Sequence, residues 1–349
     1  MKDEGQRDTL RNCVIFGGTG CIGTHIANHL LEHTRIQQIY LADIRPLPQA
    51  NYVQPLHQAM QAGRVIYVAC DVRRPLDPIN LPQHCDLIVN LAAVHREPGH
   101  KPHEYYQTNL LGAEHVCAYA TRSGCEQILF TSSIAPYGSS DAMRNEDSLP
   151  VPETPYGGSK LVAEKMHLAW QQAGSNRKLI ILRPGVVFGP GEHANVARLA
   201  RSLARGYFFY MGNRDTRKAG VYVKELCHVM EFAMDYQEQY SEPMLLWNVS
   251  MDPPPRLRDF VDAICRVAGY RQPRISLPRK LLIAGSYPVS GLSQLIGFGH
   301  SINPVRVRKL SQPTHIDPSR LRGAGYHFRY TLEQAIADWK QDAPEDFPA

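Results

Sequence analysis

CVIFGGTGCIG, residues 13–23, joins a short apolar run to a glycine-rich turn and then to a helical pattern through Ile22, Ile26, Leu30 and Leu31. Gly17, Gly20 and Gly23 stand at G-x-x-G-x-x-G spacing, with Thr19, Cys21 and Ile22 between them. Glycine permits the tight turn and lets backbone N–H groups approach a pyrophosphate, which then sits at the positive end of the following helix. Glycine-rich turns are common; the weight comes from this one lying after the first strand and opening a helix.

Five more apolar runs follow: QIYLAD (38–43), VIYVACD (65–71), DLIVNLAA (86–93), QILFTSS (127–133) and LIILRPG (179–185). Helical stretches separate most of them, notably 104–122 and 157–173. Strands that are apolar throughout and alternate with helices make a parallel sheet covered on both faces. Six of them with right-handed crossovers make a doubly wound α/β fold of the Rossmann type, whose ligand crevice lies at the carboxyl ends of the strands. Beyond about residue 190 the alternation stops and proline and glycine become denser, as in MDPPPR (251–256) and GFGHSINP (297–304). The expected organisation is a dinucleotide-binding domain over 1–190 and a smaller mixed C-terminal substrate lobe over 191–349. Within that lobe, segments near 220–250 return to the sheet.

Composition excludes several classes. Hydrophobic residues make 43% and charged residues 20% of 349, as in an ordinary globular chain. The net charge of +5 is spread out and forms no like-charge block, so a nucleic-acid partner is not expected. The polar start MKDEGQRDTLRN carries no signal peptide. The apolar stretch 281–298 is broken by Gly285, Pro288 and Gly291, too interrupted for a membrane span, and reads as a buried or interface loop. Eight cysteines without a C-x-x-C pair fit free thiols in a reducing, cytoplasmic compartment. His95, His100 and His103 lack carboxylate or thiol partners at ligand spacing, so no metal site is expected.

Asp43 ends the second run, 20 residues beyond Gly23. A carboxylate there accepts both ribose hydroxyls and repels a 2′-phosphate, which favours NAD. Arg45, two residues on, suits a 2′-phosphate and leaves NADP open. Asp71 and Val72 close the third run where an adenine would lie. Tyr156 and Lys160 stand at i, i+4 on one helical face, where an adjacent ammonium favours phenolate and makes the tyrosine a usable acid/base. Ser133 ends the fifth run at the same rim, placed to orient a substrate oxygen toward the phenol.

In order and spacing, GGTGCIG, NLAAVHRE, YYQTNLLGAEHV, TSSIAPYG, PYGGSK and LRPGVVFGPG resemble the extended short-chain dehydrogenases, the NAD-dependent epimerase/dehydratase family. The resemblance covers nearly the whole chain. It implies that Asn90, Leu91, Ala92 and Ala93 lie beside the cofactor, that Asn109 supports the site, and that Pro184 lies near the nicotinamide. It also makes Ser133, rather than Ser132, the catalytic serine. Dehydratases of the family carry an Asp-Glu pair where this chain has Ser132-Ser133, so dehydration is disfavoured. What remains is hydride transfer at C4 of a nucleotide-diphosphate sugar, by an epimerase or a ketoreductase.

The resemblance further implies substrate contacts from Asn195, from Arg217 and from Arg308 or Arg306 to the diphosphate, with His95 facing the site and Asp317 capping the last unit. A pair of the two long helices implies a homodimer. One departure is Arg183-Pro184-Gly185-Val186, where typical epimerases have an asparagine after the sixth strand. That form is seen in ketoreductases and in steroid or alcohol dehydrogenases of the family, which supply a second reading. A non-catalytic dinucleotide sensor is a third, and would need only the glycine loop.

Overall fold

The computed structural model describes residues 10–277 and 313–348 apart from 35, 78 and 98. In chain order the elements are β1 (Asn12–Phe16), α1 (Cys21–His33), β2 (Gln38–Asp43), α2 (Gln54–Gln61), β3 (Val65–Ala69), β4 (Leu87–Asn90), α3 (Pro102–Arg122) and β5 (Gln127–Thr131). Then come β6 (Ser140–Arg144), α4 (Pro155–Gln172), β7 (Lys178–Pro184), β8 (Val186–Phe188), α5 (Val196–Ala204), β9 (Tyr210–Met211), β10 (Gly220–Tyr222) and α6 (Val223–Tyr240). The last are β11 (Met244–Val249), α7 (Leu257–Ala268), β12 (Ser276–Leu277), β13 (Thr314–Ile316), α8 (Ser319–Gly323) and α9 (Leu332–Asp342).

The central sheet is parallel, in the order β11-β7-β5-β4-β1-β2-β3. Strand order reverses between β1 and β4, which is where a doubly wound sheet opens its crevice. The sheet has seven strands, one more than the apolar runs single out. MLLWNV (244–249) pairs along β7 from Met244 with Leu179 to Val249 with Pro184. β11 is itself the edge strand, reached through α6, and it lies within the 220–250 segment expected to return to the sheet.

Strands β3, β4 and β5 stop earlier than the apolar runs do. Residues 70–71, 91–93 and 132–133 leave the ladder and form the loops at the rim. The two long helices begin earlier than expected because Pro102 and Pro155 stand in their first turns, where a missing N–H is harmless. Thr154 caps α4 by accepting from the Gly157 N–H at 3.1 Å.

Apolar side chains fill both faces of the sheet. On one face Ile15, Leu41, Val89, Leu129, Ile180 and Leu182 meet α1 and α6. On the other Val14, Ile88, Ile128, Phe130 and Ile181 meet α3 and α4. Burial of this kind contributes about 25 cal/mol per Å² of apolar surface. A separate cluster around Phe188, Tyr222, Phe260 and Trp339 holds α5, α7 and α9 together beside the rim. Short parallel pairs β8–β10, β6–β13 and β9–β12 complete this lobe. No helix among the described residues is long and apolar enough to cross a membrane; the 281–298 stretch lies outside them.

Candidate active site

The glycine turn is fixed by contacts that exclude side chains. Gly17 has φ +76°, and a Cβ there would sit 2.9 Å from the Ala92 nitrogen. A Cβ on Gly23 would lie 2.3 Å from the Gly17 carbonyl oxygen. The first turn of α1 is capped by no side chain, because its cap is Gly20. Its N–H groups and the positive end of the helix are therefore turned to the crevice, the arrangement that binds a phosphate.

Asp43 sits at the end of β2 with its carboxylate accepting from Thr19 N at 3.3 Å and Arg45 N at 3.2 Å. Thr19 Oγ1 donates to the Arg45 carbonyl at 2.9 Å. The turn and the β2 end are thus tied together, and the Arg45 side chain stays exposed. Cys21 packs inward, its thiol directed at the Pro190 carbonyl at 3.4 Å, and Ile22 packs into the apolar clusters on either side. Asp71 is held by Arg73 in a two-pronged ion pair, with contacts of 2.7–3.1 Å. Val72 is buried beneath α3, close to Gly112, and its carbonyl bonds His115 Nδ1 at 2.8 Å.

After β4, Leu91 N bonds the Phe16 carbonyl at 2.9 Å, and Ala92 lies against Gly17. Asn90 is buried at the strand end, donating from Nδ2 to His167 Nε2 at 3.1 Å. His167 Nδ1 bonds the Ala163 carbonyl at 2.7 Å, and burial pushes this imidazole down to about 4, so the ring is neutral. The loop then runs through Ala93 to Val94, whose N–H and carbonyl are both held by the Asn109 amide at 2.9 and 3.2 Å. Asn109 Nδ2 also donates to Ser159 Oγ at 2.8 Å, and Ser159 Oγ donates to the Tyr156 carbonyl at 2.8 Å. One amide therefore ties the β4 loop to the first turn of α4. His95, next in the loop, is exposed.

Ser133 and Tyr156 meet. The Ser133 hydroxyl lies near enough to the Tyr156 phenol to favour its ionised form, and it accepts from Ala135 N at 3.1 Å. Burial pushes the phenol up to about 12, and the Ser133 bond pulls it back in part. Pro184 is a neighbour: its carbonyl accepts from Ile134 N at 3.2 Å. Lys160 is 2% exposed, lies over the Phe130 ring at 4.2 Å, and donates from Nζ to the Thr131 carbonyl at 2.7 Å. Burial lowers its ammonium to about 7, opposed by the carboxylate of Glu164. The i, i+4 spacing implies an ammonium turned to the phenol; in this structure the ammonium is turned to the end of β5.

Beneath these groups lies a buried network that the sequence reading misses. Arg183 Nε and Nη2 bond the two Glu164 carboxylate oxygens at 2.8 and 2.6 Å, and Ser132 Oγ donates to Glu164 at 2.5 Å. Arg183 also lies over the Tyr137 ring at 4.7 Å, and Tyr137 donates to Asn248 Oδ1 at 2.9 Å. The two adjacent serines thus face different ways, Ser133 to the phenol and Ser132 to the carboxylate. The available signal was Glu164 at i+4 from Lys160 on one helical face.

Two of the expected substrate residues, Asn195 and Arg217, are engaged by neighbouring groups. Asn195 occupies the cap position of α5, but the capping is done by Glu192, which accepts from Asn195 N at 2.6 Å and Ala197 N at 3.0 Å. Arg217 donates from Nη1 to the Pro254 carbonyl at 2.8 Å and bridges Arg256. Arg306 and Arg308 lie outside the described residues. The Asp317 carboxylate accepts from Ser319 N at 2.9 Å at the start of α8, and its carbonyl accepts from Asn248 Nδ2 at 3.3 Å.

Comparison with known proteins gives concordant matches. A model of the NAD dependent epimerase/dehydratase family matches residues 13–249. The N-acetyl-alpha-D-glucosaminyl-diphospho-ditrans,octacis-undecaprenol 4-epimerase of Escherichia coli O157:H7 is 26% identical over 332 residues, 93% of each chain. A decarboxylating sterol-4-alpha-carboxylate 3-dehydrogenase of Saccharomyces cerevisiae is 22% identical over 338 residues, 94% of this chain and 96% of the relative. Among solved structures, UDP-glucuronic acid 4-epimerase from Bacillus cereus in complex with NAD superposes with TM-score 0.73 at 16% identity, covering 97% of this chain and 100% of that one. At that identity the likeness is one of fold.

Proposed function

The chain belongs to the NAD-dependent epimerase/dehydratase family, and from that premise we propose that it is an NAD-dependent 4-epimerase of a hexosyl diphosphate. The substrate class is a nucleotide-diphosphate sugar, with a lipid-linked sugar diphosphate as the nearest variant. The observation that carries the reading is the placing of Ser133, just past β5, and Tyr156, in the first turn of α4, at the rim that also holds the glycine turn. Ser133 follows β5 and Asp43 ends β2, with β4 and β1 between them. Three strand spacings of about 4.8 Å separate the two ends by about 14 Å, a span suited to a dinucleotide lying across the switch point.

The residues fit that cofactor. Backbone N–H groups at Gly20–Ile22 would hold the pyrophosphate, Asp43 the adenosine ribose, and Lys160 the ribose beside the nicotinamide. Asp71, Val72 and the Leu91–Ala93 loop would line the adenine side. Asp43 favours NAD over NADP. When bound, the oxidised cofactor supplies the hydride acceptor and a positively charged ring.

Tyr156 takes the proton of the C4 hydroxyl as hydride leaves C4, and returns it after the ketose has presented its other face. Ser133 holds the same oxygen and thereby aligns it with the phenol. A bound oxidised nicotinamide would add positive charge beside the phenol and would lower it from the high value set by burial. Asn195 and Arg217 approach the diphosphate once substrate is bound, and Asn109 keeps the loop and helix in register.

We place the enzyme in the cytoplasm, where its eight free thiols stay reduced. It acts as a homodimer joined through α3 and α4, whose outer faces expose Tyr106, Leu111 and Val162. Sedimentation at micromolar concentration is expected to give twice the chain mass, and a monomer there would refute that interface.

The function is tested with a panel of UDP-hexoses and hexosyl-diphospho-polyprenols, following product and cofactor absorbance together. Product without net change in reduced cofactor supports the epimerase; net consumption makes the enzyme a ketoreductase. Tyr156→Phe is expected to lower turnover by about 10²–10⁴ with cofactor binding retained. Undiminished turnover in that variant would exclude Tyr156 as the acid/base.

A further inference from the structure

Away from the rim, the C-terminal half of α1 packs on the N-terminal half of α6, and this contact carries a cluster that hydride transfer does not use. α1 contributes His29 and His33, one turn apart; α6 contributes His228 and Glu231, at i, i+3. One ligand atom each from His29, His228 and Glu231 lies within 4.8 Å of the others. His29 Nε2 is 2.9 Å from Glu231 Oε2. The His29 ring is 4.7 Å from His228 and 4.5 Å from His33, and His33 is 6.2 Å from His228.

Two features set this apart from an incidental group of histidines. His228 Nδ1 is buried with no hydrogen-bond partner, although buried polar nitrogens are nearly always satisfied. The second is that the partly buried Glu231 carboxylate faces the His29 imidazole across the helix contact. Arg329 is the opposing charge, but it is exposed and screened by solvent.

We propose that His29, His228 and Glu231 form a binding site for a divalent transition cation of the zinc class, with the half-exposed His33 or a water completing four ligands. Two imidazoles and one carboxylate are a donor set such ions take, whereas magnesium and calcium prefer oxygen alone. Metal–ligand bonds of about 2.0–2.2 Å put tetrahedral ligand atoms roughly 3.4 Å apart. Small side-chain rotations close the present spread to that distance. The cation would replace the His29–Glu231 hydrogen bond, satisfy His228, and fasten α1 to α6. Since α1 also presents the glycine turn at its other end, the site would stiffen the helix on which the cofactor rests without touching the reacting groups.

The test uses the full chain without a polyhistidine tag, stripped with a chelator and titrated with Zn²⁺ against a chromophoric competitor, and separately with Co²⁺. The expected result is one tight Zn²⁺ per chain, a higher melting temperature, and the intense visible bands of tetrahedral Co²⁺. His228→Gln should weaken Zn²⁺ at least about tenfold and abolish the thermal shift. If that variant does not fold, Glu231→Gln, at a partly exposed position, carries the same expectation. Zn²⁺ affinity equal in wild type and variants, or only the weak bands of octahedral Co²⁺, would overturn the site.

Discussion

Lys160→Met should make the cofactor-free protein more stable at neutral pH, although it removes a group placed in the catalytic machinery. The argument starts from the burial of Lys160, 2% exposed, with its ammonium lowered from 10.5 to about 7. The unfolded chain holds that proton until pH 10.5, whereas the folded chain releases it near 7. The unfolded state therefore binds more protons between those values, and stability rises with pH across that window. At pH 7 the cost of burying the group comes to about 4 kcal/mol, and by pH 9 it has fallen by about 2 kcal/mol. Methionine removes this cost but leaves the Thr131 carbonyl without its 2.7 Å donor, a loss of about 1–3 kcal/mol. The net expectation is a gain of about 1–3 kcal/mol at pH 7 that falls by about 2 kcal/mol by pH 9. Urea unfolding of both proteins from pH 6.5 to 9 measures it, and taking the difference cancels every other titrating group. A wild-type-minus-variant difference that stays flat across this range would show that Lys160 is not a buried, proton-shedding amine.

Other expectations are as direct. Glu164→Gln leaves the Arg183 guanidinium buried without its counter-charge and should lower stability by about 3–5 kcal/mol in chemical unfolding. The double change Glu164→Met with Arg183→Met should recover most of that loss; a double variant as unstable as the single one would contradict the pairing. Gly17→Ala forces a side chain into a positive-φ position 2.9 Å from the Ala92 nitrogen. A loss of about 1–3 kcal/mol is expected, with weaker NAD binding by calorimetry, and unchanged values for both would mean that the turn tolerates a Cβ.

Features coded by neighbours in the chain were legible before any coordinates. The glycine turn, the six apolar strands and the Tyr156/Lys160 spacing are of this kind, since each depends on residues a few positions apart. The family assignment followed from their order. What escaped depends on packing between distant segments. The Glu164–Arg183 pair forms only once α4 lies against β7, and the two residues are 19 apart. His29 and His228 are 199 apart, and attention to the nearby His95, His100 and His103 missed them because proximity in sequence is not proximity in space. Lys160 shows the remaining gap: spacing gives the helical face a side chain shares, but its rotamer is chosen by the acceptor within reach, here the Thr131 carbonyl.

The buried pair also explains, in physical terms, why adjacent serines suit this scaffold. Ser132 gives its proton to a Glu164 oxygen at 2.5 Å, while Arg183 occupies both oxygens of the same carboxylate. An acid at 132, the residue type that family dehydratases carry there, would bring a second carboxylate against Glu164 in a site nearly closed to water. Two such charges cannot both stay ionised at hydrogen-bond distance, and a single guanidinium does not balance both. A hydroxyl at 132 is the neutral donor that completes the Glu164 shell. Ser133 is then left as the hydroxyl that faces the phenol. The layer beneath the site therefore selects a neutral hydroxyl over a carboxylate at position 132.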